Sequence, residues 1–423
     1  MDVFWTVVFA LIFFALLMAS VALHEIGHLL PAKAFGVAVP KYFVGFGKTL
    51  WSTRRGETEY GIKLFPLGGF VQLLGMYPPE DPSRKQTWLQ RVADDARAVE
   101  WESITPAHRG RLFYEKKTWQ KIVIMAGGIT MNLLIAFVLM WGVLGLHGTW
   151  RAQPVVGAVV DCVTAQARAC TASDPVSPAR QAGLQAGDRI VEFNGTPIRD
   201  YPQLSGLIRA NLDGEASLVV ERGGVRTTLP TVNTVVTGVA DTLDPSRTVA
   251  AGWFGVSPVV AKEFGGPAEV LRDLGTMTQQ SLVALAQFPV KVWNVAADMV
   301  TGQPRDVNGP ISILGASTLA GEAATSDASV ADKAAMFASL LAAVNLFLAL
   351  FNLVPLPPLD GGHILGAVWE KLRRTAASLT GRPDPGHADT AKMVPVAYAV
   401  GGFLLLCGVV LIVADIVSPV KIF

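Results

Sequence analysis

Four apolar runs, roughly Val3–Leu23, Ile122–Leu146, Ala334–Leu356 and Met393–Ala414, govern what this chain of 423 residues can fold into. Each is long enough as a helix, at about 1.5 Å of rise per residue, to cross a hydrocarbon layer about 30 Å thick. Only 16% of the residues are charged, against roughly 25% in soluble domains, so composition points the same way. The first run has no early basic region and is too long for a cleavable signal, so it is read as a retained span. About 180 residues between the second and third runs leave room for at least one soluble domain.

Charge orients these spans. Lysines and arginines crowd the segment between the first two runs (Lys41, Lys48, Arg54 and Arg55 through Lys116, Lys117 and Lys121). They recur after the third run at Lys371, Arg373, Arg374 and Arg382. By the positive-inside rule both loops face the cytoplasm, and both termini with the 148–333 region lie outside. A net charge of +1 gives no case for a nucleic-acid partner.

Inside the first run stands His24-Glu25-Ile26-Gly27-His28. Two histidines four apart share a helical face, a spacing that suits two zinc ligands with a glutamate beside them as general base. An ionisable residue at the centre of a membrane helix costs about 2.5–3.5 kcal/mol on insertion scales, which favours a functional reading. The plainer alternative is that the segment emerges into water or that the histidines are merely packed. A catalytic zinc needs a third protein ligand. His147 and Asp415 fall at the opposite ends of their spans. At the inner end of the third run, Asp360 and His363 both have ligand chemistry at the right depth, in a stretch broken by Pro355, Pro357 and Pro358 and eased by Gly361 and Gly362.

The HEIGH string in a first span, with Asn352-Leu353-Val354-Pro355-Leu356-Pro357-Pro358-Leu359-Asp360-Gly361-Gly362 in a late one, closely resembles the site-2 protease family of intramembrane zinc proteases. Gly45-Phe46-Gly47 and the stretch from Glu59 to Val71 resemble that family's membrane-reentrant β-structure. Ala126-Gly127-Gly128 with Asn132 resembles its second-helix motif, with Pro expected where Gly128 stands. Asn308-Gly309-Pro310-Ile311 resembles a segment before the third helix. The likeness is greatest to bacterial regulators that cut anti-sigma factors, of an actinobacterial type.

The resemblance implies that His24, His28 and Asp360 hold Zn2+, that Glu25 is the general base, and that Asn352 and Asn345 help hold substrate. An Asn in a membrane helix also serves simply to bond a neighbouring helix. The substrate would be a single-pass membrane protein, such as an anti-sigma factor already trimmed by another protease, cut within or near its span. The setting would be the bacterial plasma membrane, with lipid around the protein and the site toward the cytoplasm. A membrane metal or ion transporter and a non-proteolytic scaffold are the competing readings. No inverted repeat is visible, however, and Glu25 is intact.

The expected fold is therefore a polytopic α-helical membrane protein of four transmembrane helices, with a reentrant β-hairpin or sheet and one extracytoplasmic PDZ-like α+β domain. Its parts are a first span (1–33), a cytoplasmic-side β-structure and loop (34–117), a second span (118–147) and the PDZ-like domain (154–235). A linker with interfacial amphipathic helices (236–333), a third span with the LDG motif (334–366), a cytoplasmic loop (367–392) and a fourth span (393–417) complete it. The PDZ-like reading rests on strand, helix and turn signals around "AGLQAGDRIVEFNGTPI", and either peptide capture or size filtering would suit it. Residues 58–74 read as a hairpin whose second arm, with Phe70 and Val71, presents a strand edge to substrate. Cys162 and Cys170 lie where a disulfide is permitted, and Cys407 reads as a small apolar residue.

Overall fold

The computed structural model describes residues 2–79, 87–163, 170–171, 173–241, 248–307 and 309–420. Its helices are α1 (Asp2–Ala34), α2 (Trp88–Trp101), α3 (Thr118–Gly142), α4 (Pro178–Gln181), α5 (Tyr201–Ala210), α6 (Pro267–Thr301), α7 (Ile313–Thr325), α8 (Val330–Leu353), α9 (Asp360–Leu379) and α10 (Val394–Val417). The chain separates into two compact units, residues 143–267 and the remainder.

In the larger unit, α1, α3, α8 and α10 lie within the four helical stretches among the described residues that are long and apolar enough to cross a membrane. They form a membrane protein. Glycines allow α1 and α3 to touch at the backbone: a Cβ on Gly127 would stand 1.9 Å from the Gly27 carbonyl oxygen. Such small-residue contacts let helices pack in lipid, where apolar burial offers no drive. Phe13, Leu17 and Met18 of α1 pack with Ala316 and Ala320 of α7 and Leu341 of α8. Helix α6, interrupted by Pro289, is not among the four apolar stretches; its Val292 and Val295 pack on Cys407, Leu411 and Ala414 of α10.

Between α1 and α2 run two long strands, β1 (Lys41–Arg55) and β2 (Thr58–Gln72), paired antiparallel except where Lys41–Val44 runs alongside Glu59–Ile62 in the same direction. Their register folds back on itself. Lys41–Val44 pairs both with Glu59–Ile62 and with Gly69–Gln72, while Trp51–Arg55 pairs with Thr58–Ile62. The expected hairpin within 58–74 is thus corrected: its arms do not pair with each other, because the start of β1 lies between them. The bend comes at Gly45 and Gly47, whose φ of 91° and 85° only glycine adopts readily. Gly69–Gln72 is left as an outer edge with no strand on its far side among the described residues.

The smaller unit holds a sheet in the order Val256–Glu263, Thr149–Val159, Arg189–Phe193, Leu218–Arg222, Val225–Thr228, with Thr196–Pro197 beside Arg189–Phe193. Alternating inward residues Ile190, Phe193, Leu218 and Val220 build its core with Leu204 of α5 and Ala179 of α4. Asn194 and Gly195, at φ 47° and 75°, make the tight two-residue reversal that a hairpin of this hand requires. Arg222 donates to both carboxylate oxygens of buried Asp188 at 2.7 Å. Cys162 and Cys170 form a disulfide.

Candidate metal centre

Helix α1 carries His24 and His28 on the face it turns to α3, and Glu25 on the side it turns to β2. His28 is fixed by a 2.8 Å contact from its Nδ1 to the Ile124 carbonyl oxygen. As the neutral tautomer it donates that bond and leaves Nε2 free as a ligand, the usual way a second partner orients a metal-binding imidazole. Gly128 makes room, since a Cβ there would stand 2.3 Å from His28 Nε2 and 2.7 Å from His24 Nε2. A proline would meet the same obstruction, so glycine fits this position where the resemblance led us to expect Pro.

The third group arrives from a broken helix. Helix α8 stops at Leu353, and the chain turns through Val354–Leu359, where three prolines supply no N–H to a continuing helix. The turn folds so tightly that a Cβ on Gly361 would lie 2.3 Å from the Val354 carbonyl oxygen. Helix α9 then starts at Asp360, with its carboxylate at the positive end of the new helix. Further along, Glu370 of α9 takes two 3.0 Å bonds from Lys121 of α3 and one from the Ala388 N–H, pinning the helix down.

His24 Nε2, His28 Nε2 and Asp360 Oδ2 lie 3.2, 3.4 and 3.5 Å apart. A tetrahedral ion with ligands at about 2.0–2.1 Å would space them by about 3.3–3.4 Å, so the set fits zinc closely. Asp360 Oδ2 is moreover buried and makes no hydrogen bond, a costly state that a cation relieves. These three are the metal-competent cluster among the described residues, and His363 is not part of it.

A cleft of about 360 Å³ opens beside them, lined also by Glu25, Gly69, Phe70, Val71, Asn132, Asn352 and His363. Glu25 sits between metal cluster and strand edge. Its carboxylate lies near the Val71 backbone N–H, and a Cβ on Gly69 would come within 3.1 Å of its Cγ. Asn345 is elsewhere: fully buried, it bonds Ser20 of α1 and the Leu341 carbonyl and does not line the cleft, as its helix-packing alternative requires. Asn132 was named only through a motif. It is a buried cleft residue whose Oδ1 has no partner. An amide one turn past a double glycine in a membrane helix was its one sequence signal. Asn308 lies outside the described residues.

The model of peptidase family M50 matches residues 12–382. The zinc metalloprotease Rip1 of Mycobacterium tuberculosis is 34% identical over 432 residues, covering 98% of each chain. Rip1 of Mycolicibacterium smegmatis is 33% identical over 443 residues, again with 98% of each chain covered.

Proposed function

Since the chain belongs to peptidase family M50, the site-2 protease family, and is a membrane zinc metalloendopeptidase, we propose that it cuts single-pass membrane proteins within or near their spans. In this reading His24, His28 and Asp360 are the zinc ligands and Glu25 is the general base. The single observation that carries it is the 3.2–3.5 Å triangle of two imidazole nitrogens and an unpartnered buried carboxylate oxygen, with Glu25 beside it. Zinc held there supplies a Lewis acid for the peptide carbonyl and acidifies a water molecule.

The chain's own residues do the rest. Glu25, beside the Val71 N–H, receives the proton of the attacking water and passes it to the leaving amine. His28 keeps its Nδ1 proton on the Ile124 carbonyl throughout. A transmembrane helix hides its carbonyls in internal hydrogen bonds, so it must unwind locally before it can be attacked. The free edge at Gly69–Gln72, with Phe70 and Val71, offers ladder bonds to the unwound stretch, and Asn352 faces the same cleft.

The finer reading includes a PDZ-like role for residues 154–235, which select substrate by capturing an extended chain end or by excluding bulk. It also places the termini and those residues outside and the metal centre toward the cytoplasm. An anti-sigma factor trimmed by an earlier protease is the proposed substrate class. A membrane-tethered test substrate decides the central point: Glu25→Gln should retain zinc and lose cleavage by orders of magnitude. Turnover at the wild-type rate in purified Glu25→Gln would refute the base.

A further inference from the structure

Helix α9 does more than deliver Asp360. Leu365, Trp369, Leu372 and Leu379 are between 44% and 82% exposed, and with Ala376 they follow the i, i+4, i+7 spacing of a single helical face. The opposite face, with Gly366, Ala367, Glu370 and Ala377, is the buried one. A contiguous apolar stripe left open on a helix marks a surface that meets something.

Position says what. The helix begins directly after the turn that ends α8 and is followed by the segment that starts α10, so it lies where two membrane-crossing helices reach the border of the bilayer. It also runs aslant to α3. Asp360 stands by His28 Nε2 at the level of Gly128 of α3, whereas Glu370 meets Lys121. Ten residues of α9 advance about 15 Å while its partners on α3 shift by about 10.5 Å, so the helix leaves the metal centre toward the border at an angle.

Chemistry completes the case. Beside Trp369 is a pocket of about 400 Å³, lined by apolar Leu365 and Met393 and rimmed by Arg373 and Lys392. Asp389, the acid in its wall, is already engaged by Arg97 at 2.7 Å. Arg373 donates one bond to the Pro385 carbonyl oxygen, at 2.9 Å, and keeps its positive charge at the rim. A tryptophan at the border, an apolar stripe below and two cations beside it match an anionic phospholipid, acyl chain against the stripe and phosphate against the cations.

We propose that α9 lies in the lipid surface on the side where α8 ends, and that the Trp369–Arg373–Lys392 pocket binds the headgroup of an anionic phospholipid. The helix that carries Asp360 is thereby anchored at a set depth.

Two measurements on the full chain in nanodiscs test this, with phosphatidylglycerol in a phosphatidylcholine background as the probe. Cys407 is buried and the other two cysteines are disulfide-bonded, so an added cysteine can be spin-labelled alone. A label at Leu372→Cys should be open to oxygen and shielded from an aqueous nickel chelate, whereas one at Lys371→Cys should be open to the chelate. Equal chelate access at both positions overturns the proposal, and so does shielding of Leu372→Cys from both reagents, which means that protein covers the stripe. Arg373→Gln and Lys392→Gln should each weaken phosphatidylglycerol binding by about fivefold, with zinc content unchanged as proof of folding. Wild-type phosphatidylglycerol binding in the folded double variant overturns the headgroup site.

Discussion

Gly128→Ala adds one methyl group at the point where α3 faces both metal-binding imidazoles. Its Cβ would stand 2.3 Å from His28 Nε2 and 2.6 Å from His24 Cε1, where ordinary contact begins near 3.4 Å. Either the rings retreat by about 1 Å, several times the ±0.2 Å tolerance of a metal–ligand distance, or α3 moves away. The second route would open the backbone contact of Gly127 with Gly27. Changes to residues that merely orient ligands cost about 10–100-fold in metal affinity. Displacing the ligands themselves should weaken zinc by at least about 100-fold, or about 2.7 kcal/mol. Zinc per chain, read across a chelator-buffered series in detergent, measures this directly. Gly142→Ala on the same helix is the control: nothing lies within 4 Å of its Cβ, so it should bind zinc normally and gain about 0.5–1 kcal/mol of helix stability. Wild-type zinc affinity in Gly128→Ala would show that the rings do not face α3 as described.

Val71→Pro removes the N–H nearest Glu25 and breaks the strand edge while leaving the zinc ligands alone. Zinc should be retained and cleavage largely lost, with a milder loss for substrates rich in helix breakers; an equal loss for all substrates would assign the defect to Glu25 and not to the edge. In the 143–267 unit, the Arg222 hydrogen bonds hold the Asp188 carboxyl below its usual range against the opposing effect of burial. A lowered folded-state value means that the pair's stability is complete above the ordinary aspartate range and is lost as pH falls through the lowered one. Amide protection factors in Leu218–Arg222, corrected for the intrinsic pH dependence of exchange, should therefore fall with acid more steeply in wild type than in Arg222→Gln, and identical profiles would refute the linkage.

The four membrane-crossing helices were legible because a bilayer imposes length and apolarity on any helix that crosses it, and α1, α3, α8 and α10 obey. Depth narrowed the third ligand to Asp360 or His363, because ligand chemistry at the level of His24 and His28 is scarce in this chain, and the prolines and glycines around them announced a turn; the resemblance, and not depth, singled out Asp360. The path of β1 was hidden. Nothing in residues 58–74 reports that Lys41–Val44 wedges between their two halves, because strand order is a long-range choice that local pattern does not carry. Asn345 looked much like Asn352, seven residues on in the same helix; only the position of Ser20 on α1 separates a packing amide from one that faces the cleft. The stripe along α9 was present in the spacing of Leu365, Trp369, Leu372 and Leu379. Placing the end of a span at residue 366 divided it between two segments and concealed it.

The zinc K-edge absorption spectrum of the purified chain in a bilayer tests the central claim most directly. One zinc per chain with two imidazoles, the remaining ligands oxygen and no sulfur, is the expected result. A spectrum with three imidazoles would contradict it, because His363 would then stand where Asp360 is assigned.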